Sequence, residues 1–243
     1  MVNTGYLSWL ITPDQREYAK ILAFNSLTNT DHPVGDVYAH DVPDNNGLEG
    51  DERSFAYRYT GSLAEVIIAD AYGHPRPKRA FGANGGQDCG WDFSLCIPSG
   101  ETLRIDIKSM RRNCRQLKAS YVADLPVYQV TKDWSLTDYY MIVSFQHSKS
   151  LNDFERVNLM GIIKKDDVLK YGEFFSEGTD RLNERGQFVH FSHDTYEVML
   201  GLLSAPYIPK NAGVLPGFEM RTIIEDDVYE RRLQEIKIKN NVV

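Results

Sequence analysis

The stretch from Trp91 to Ser109 constrains this chain more than any other. Two runs, Trp91 to Ile97 and Thr102 to Ser109, alternate polar and apolar residues around Pro98-Ser99-Gly100. Alternation with a period of two, broken by a short turn, predicts a β-hairpin with one buried face. A loop ending in glycine suits a type I turn followed by a left-handed residue, because glycine has no Cβ to clash there. That loop sets a register in which Ile97 faces Glu101, Ser94 faces Arg104 and Asp92 stands opposite Asp106. Phe93, Leu95, Leu103, Ile105 and Ile107 then share the buried face.

Around the hairpin the pattern alternates between helix and strand. Thr12-Pro13-Asp14-Gln15 has the form of a capping box with proline at the first helical position, and predicts a helix over 13–27 carrying Tyr18, Ile21 and Leu22. Residues 29–53 are rich in Asp, Asn, Gly, Pro and His without periodicity and read as a long loop. Ser62 is a candidate cap for a second helix with Leu63, Val66, Ile67 and Ala71 on one face, ending near Gly73. Asp138 to Phe145 and Val157 to Ile163 read as strands, and Lys164-Lys165-Asp166-Asp167 leads into a short helical segment through Leu169. Gln187 to Phe191 reads as a further short strand, and Thr222 to Ile238 as a charged helix with Ile224, Val228 and Ile236 inward. The expectation is a mixed α/β fold in a single domain over 1–243: a core of about 61–169, an N-terminal helix and long loop over 1–60, and an extension over 170–243.

Hydrophobic residues make up 42% of the 243 and charged residues 25%, which excludes broadly disordered and collagen-like chains. No apolar run approaches the roughly 20 residues that span a bilayer, so no membrane partner is expected. Cys89, Cys96 and Cys114 form neither a C-x-x-C pair nor a dense framework, which favours free thiols and a cytoplasmic setting. The formal charge of −7 argues against nonspecific coating of nucleic acid. The window 76–118, however, holds nine basic residues against four acidic ones, leaving −12 elsewhere. Such a stretch attracts a polyanion. Within it, Arg111, Arg112, Arg115 and Lys118 follow the hairpin and are candidate phosphate contacts, as is Arg76-Pro77-Lys78-Arg79.

Cleaving a phosphodiester needs an activated water, a cation to neutralise the reacting phosphate, and help for the departing oxygen. Cross-strand Asp92 and Asp106 place their Cβ atoms about 4.5–5.5 Å apart, a spacing suited to one hard cation. Lys108 points to the same side by strand alternation, where it can orient water or stabilise developing charge. Glu65, on the second helix, is a candidate to complete a metal site or act on water.

On these residues the sequence resembles the PD-(D/E)XK nuclease superfamily: a helix glutamate in Gly61-Ser62-Leu63-Ala64-Glu65, an aspartate in Gly90-Trp91-Asp92-Phe93, then Asp106-Ile107-Lys108 on the next strand. The resemblance covers roughly 61–169. It implies a restriction-endonuclease-like core, a mixed central β-sheet flanked by helices. It also implies Mg²⁺ or Mn²⁺ dependence and hydrolysis of DNA more often than RNA. The main-chain carbonyl of Ile107 is implied as a further ligand beside Glu65, Asp92 and Asp106, with Lys108 activating or positioning water. The residue before Asp92 is Trp91 where the family carries proline, so Asp88 stands as the alternative first aspartate. Gln116 and Tyr121 lie one residue too far apart for the RecB-like subgroup. Endonuclease and exonuclease action, and a phage, restriction or repair setting, are all compatible.

Other signals are weaker. Tyr57, Tyr59 and Trp91 are candidates for stacking on bases, with burial in a core the commoner fate of aromatics. His190 and His193 fall on opposite faces of a strand, and Asp44-Asn45-Asn46-Gly47 lacks the first ligand of a calcium loop because Val42 stands there. No P-loop, H-E-x-x-H, G-x-S-x-G elbow or dinucleotide fingerprint is present. The C-terminal helix is a candidate homodimer contact, with packing on its own chain the alternative.

Overall fold

The computed structural model describes residues 2–28, 48–78, 90–97, 99–112, 114, 116–131, 136–147, 154–183, 186 and 188–242. In chain order the elements are β1 (Gly5–Leu10), α1 (Pro13–Thr28), α2 (Gly50–Tyr72), β2 (Phe93–Cys96), β3 (Thr102–Arg112), β4 (Val122–Pro126), α3 (Val127–Thr131), β5 (Tyr139–His147) and β6 (Phe154–Lys164). There follow α4 (Lys165–Tyr171), β7 (Glu173–Phe175), β8 (Asp180–Leu182), β9 (Phe188–His190), β10 (Thr195–Met199), β11 (Glu219–Thr222) and α5 (Asp227–Lys239).

The hairpin forms in the expected register. Phe93 pairs with Ile105 and Ser94 with Arg104, the Ile97 amide donates to the Glu101 carbonyl at 3.0 Å, and Gly100 takes φ +87°. β2 and β3 then edge a six-stranded mixed sheet of order β11-β1-β6-β5-β3-β2, in which β3 and β5 run parallel. One face carries Leu7, Trp9, Leu103, Ile105, Val143, Phe145 and Leu159 in a core with Ala19 and Ala23 of α1 and Tyr59, Leu63 and Ile67 of α2. The other face carries Tyr6, Tyr140, Ile142, Met160 and Ile163. These share a second core with Leu125 of β4, Val198 of β10, Val168 of α4, and Tyr229 and Ile236 of α5. Each fully buried side chain of this size contributes about 1.5–3 kcal/mol.

The capping box of α1 is reciprocal: Gln15 N–H donates to Thr12 Oγ1 at 3.2 Å, and Thr12 N–H to Gln15 Oε1 at 3.0 Å. The second helix departs from expectation at its start. It begins at Gly50, so Ser62 is a buried interior residue and not a cap. Phe55, Tyr59 and Leu63 form a stripe four residues apart, and Tyr59 stacks on Phe55 and Phe154. That packing outweighs the roughly 1 kcal/mol a helical Gly61 costs. The helix ends as expected at Gly73, whose φ of +69° lets the amides of Gly73 and His74 reach the carbonyls of Asp70 and Ala69. Most of the expected loop over 29–53 lies outside the described residues, as do Asp44 to Gly47, Asp88, Cys89 and Arg115.

The strands expected at 138–145 and 157–163 are β5 and β6, and β9 and α4 lie where short elements were expected. The C-terminal helix starts at Asp227, with Asp226 accepting from the Tyr229 amide. Thr222 belongs instead to β11, and Ile224 is exposed outside the helix; Ile223 fills the core position. α5 packs on its own chain through Tyr229 and Ile236. Among the described residues no helix is long and apolar enough to cross a membrane, and Cys96 and Cys114 are free thiols.

Candidate active site

β3 is the strand on which the candidate residues converge. Its alternation sends Leu103, Ile105 and Ile107 toward the α2 core, and Arg104, Asp106 and Lys108 to the other face. Asp106 is 7% exposed, opposite Tyr140 in the parallel register. Lys108 Nζ lies 2.8 Å from Asp106 Oδ1 and 6.0 Å from the centroid of Tyr140. Burial, and then the negative charge of Asp106, push the Tyr140 hydroxyl pKa upward.

Asp92 stands just outside β2 and is exposed. It grips β3 on both sides of Asp106: its amide donates to the Ile105 carbonyl at 2.8 Å, and its Oδ2 accepts the Ile107 amide at 2.5 Å. The carboxylate thus takes the place of the ladder partner that β2 no longer supplies. The Ile107 carbonyl leaves the strand on the same side as its amide, toward Asp92. Asp92, Asp106 and Lys108 are therefore brought together.

Glu65 is half-buried on α2, whose Leu63, Ala64 and Ile67 share a core with Leu103 and Ile105 of β3. Among the described residues no three His, Cys, Asp or Glu side chains gather into a metal-holding group.

The candidate phosphate contacts separate. Arg112 is drawn inward: its Nη2 donates to the Val122 carbonyl, and its guanidinium lies 5.8 Å from the Tyr121 ring. Arg111 lies 5.2 Å from the Tyr57 ring on the α2 side, and Lys118 is exposed. Arg76 is committed to Asp70 and Asp14, each at 2.7 Å.

No protein-family model, curated protein or solved structure matches this chain.

One pair beside the site was not read from sequence. Arg104 Nη2 and Nε meet Asp138 Oδ1 and Oδ2 at 2.6 and 2.8 Å, and the Arg104 amide reaches Oδ2 at 3.0 Å. These hydrogen bonds hold the Asp138 pKa below the usual carboxylate range. The sequence signal was Arg104 two residues before Asp106, on the same strand face; its partner comes from another strand's start and had no local mark.

Proposed function

We propose that this chain is a metal-dependent nuclease hydrolysing phosphodiester bonds, with DNA the first substrate class. The observation that carries this reading is the grip of Asp92 on the residues flanking Asp106, on the strand that also presents Lys108. The resemblance in residue order, helix glutamate then aspartate then D-x-K, supports it.

The donor set is hard oxygen throughout, which fits Mg²⁺ or Mn²⁺. Asp92 and Asp106, with the carbonyl of Ile107, would hold the ion, and Glu65 would serve as a further ligand or water-orienting group. Such a cation, when bound, neutralises phosphate charge and lowers the pKa of water. Asp106 holds the Lys108 ammonium beside the carboxylates, where it stabilises negative charge developing on phosphate oxygens. Arg111 and Lys118 supply cations to the strand's flank.

A second reading, a noncatalytic nucleic-acid-binding or structural module, is favoured by one observation: Lys108 already satisfies Asp106, and a backbone amide already satisfies one oxygen of Asp92. Both readings are tested by incubating linear and covalently closed circular DNA, single- and double-stranded, with Mg²⁺, Mn²⁺ or EDTA. Metal-dependent cutting that disappears in Lys108→Ala supports the nuclease, and cutting of closed circles marks an endonuclease. Retardation without cutting supports the binding module. Undiminished cutting by Lys108→Ala overturns the site.

A further inference from the structure

Of the three aromatic residues considered for stacking on bases, Trp91 is the one that adjoins Asp92. Tyr59 is 1% exposed, stacked against Phe55 and Phe154. Tyr57 is exposed, but its ring faces the guanidiniums of Arg53 and Arg111 at 5.6 and 5.2 Å. Trp91 is half-buried, immediately precedes Asp92, and lies 6.0 Å from the Arg104 guanidinium.

That guanidinium is engaged by both oxygens of Asp138. Its charge is therefore balanced within the protein, and those two hydrogen bonds hold it over the indole. The Asp92 amide and carboxylate in turn pin the backbone next to Trp91 onto β3. An amphipathic ring held in place before a ligand arrives loses little entropy on binding. Its position, one residue from Asp92, assigns it to the nucleotide adjoining any phosphate held at the carboxylates. A base in a duplex offers protein only its edges, whereas stacking on a side chain requires an exposed base face.

We infer that Trp91, backed by the Arg104–Asp138 pair, stacks on an unpaired base beside the scissile phosphate, so that the substrate enters as a single strand or a frayed end. This inference rests on the nuclease reading. Its test separates the two. Anisotropy of a fluorescein-labelled oligo(dT) and of a blunt-ended hairpin duplex is measured in EDTA for the native protein, Trp91→Phe and Trp91→Ala, with cleavage assayed separately in Mg²⁺. Trp91→Ala should weaken oligo(dT) binding about 5- to 150-fold while duplex binding stays level, and Trp91→Phe should retain most of the affinity. Where the alanine variant melts early, Trp91→Leu keeps apolar bulk without a ring and should show the same loss. Oligo(dT) binding that is independent of Trp91, equal loss on both probes, or no oligo(dT) binding by the native protein overturns the inference. Trp91-dependent binding without cleavage in any metal removes the nuclease reading and leaves the stacking site standing.

Discussion

Glu197 on β10 and Asp106 on β3 are both buried carboxylates touching a cation, yet the fold surrounds them differently. Glu197 is 1% exposed. Its Oε1 accepts from Arg181 of β8, and its Oε2 accepts from Arg232 of α5 at 3.0 Å. Arg232 also bonds Glu173 of β7 at 2.7 Å. The Glu197 carboxylate ties β10 to β8 and α5, and Arg232 extends the network to β7. Asp106 has Lys108 two residues along its own strand, a contact that joins no separate elements. The first arrangement accounts for itself as cohesion, because breaking it strands buried charge. The second is an ion pair within one strand, and the proposed function gives it a chemical role beside Asp92.

The comparison breaks if the two carboxylates respond alike to substitution. Asp106→Asn and Lys108→Ala should each lower cleavage about 10³-fold, far beyond the change in folded population that urea unfolding shows for either variant; a stability loss with activity per folded molecule unchanged would make Asp106 another structural pair. Glu197→Ala should behave the opposite way, losing about 3 kcal/mol of unfolding free energy. That is the low end for a broken buried pair, since Arg232 keeps Glu173, and activity per folded molecule should be unchanged below the melt. Arg232→Met leaves Glu197 its Arg181 bonds, so about 2 kcal/mol is expected in the same assay; no loss would mean α5 is held by its apolar face alone.

The smallest effect sharpens the comparison with a third, partly exposed pair. Because Arg104 lowers the Asp138 pKa in the fold, the stabilisation is complete above the unfolded carboxyl pKa, about 3.9, and is lost as pH falls through the lower folded value. Native protein should exceed Asp138→Asn by less than about 1 kcal/mol above about pH 4, with the gap closing in acid. A gap that persists to pH 2 would assign the effect to packing instead.

Much of the site was legible in residue order. Turn chemistry and alternation are local, so Pro98-Ser99-Gly100 predicted the pairing of Ser94 with Arg104 that the fold adopts, and Thr12 with Gln15 predicted a cap that forms on both sides. Strand β1 was missed because Gly5–Leu10 is buried on both faces and so shows no alternation; its partners lie at Leu159 and Met220. The start of α2 was missed because aromatic packing against Phe154 carries the helix through the position where Ser62 reads as a cap.

By itself, then, the sequence determined the hairpin, its register, and the adjacency of Asp92, Asp106 and Lys108, since a short turn and strand geometry leave few other arrangements. Tertiary structure decided what lies across the sheet from what. It drew Arg112 inward to Val122 and brought the Arg104 guanidinium to 6.0 Å from the centroid of Trp91. It also closed two arginines around Glu197. Each of these joins residues on separate elements, and such contacts are chosen by the burial of whole faces, which no local window of residues records.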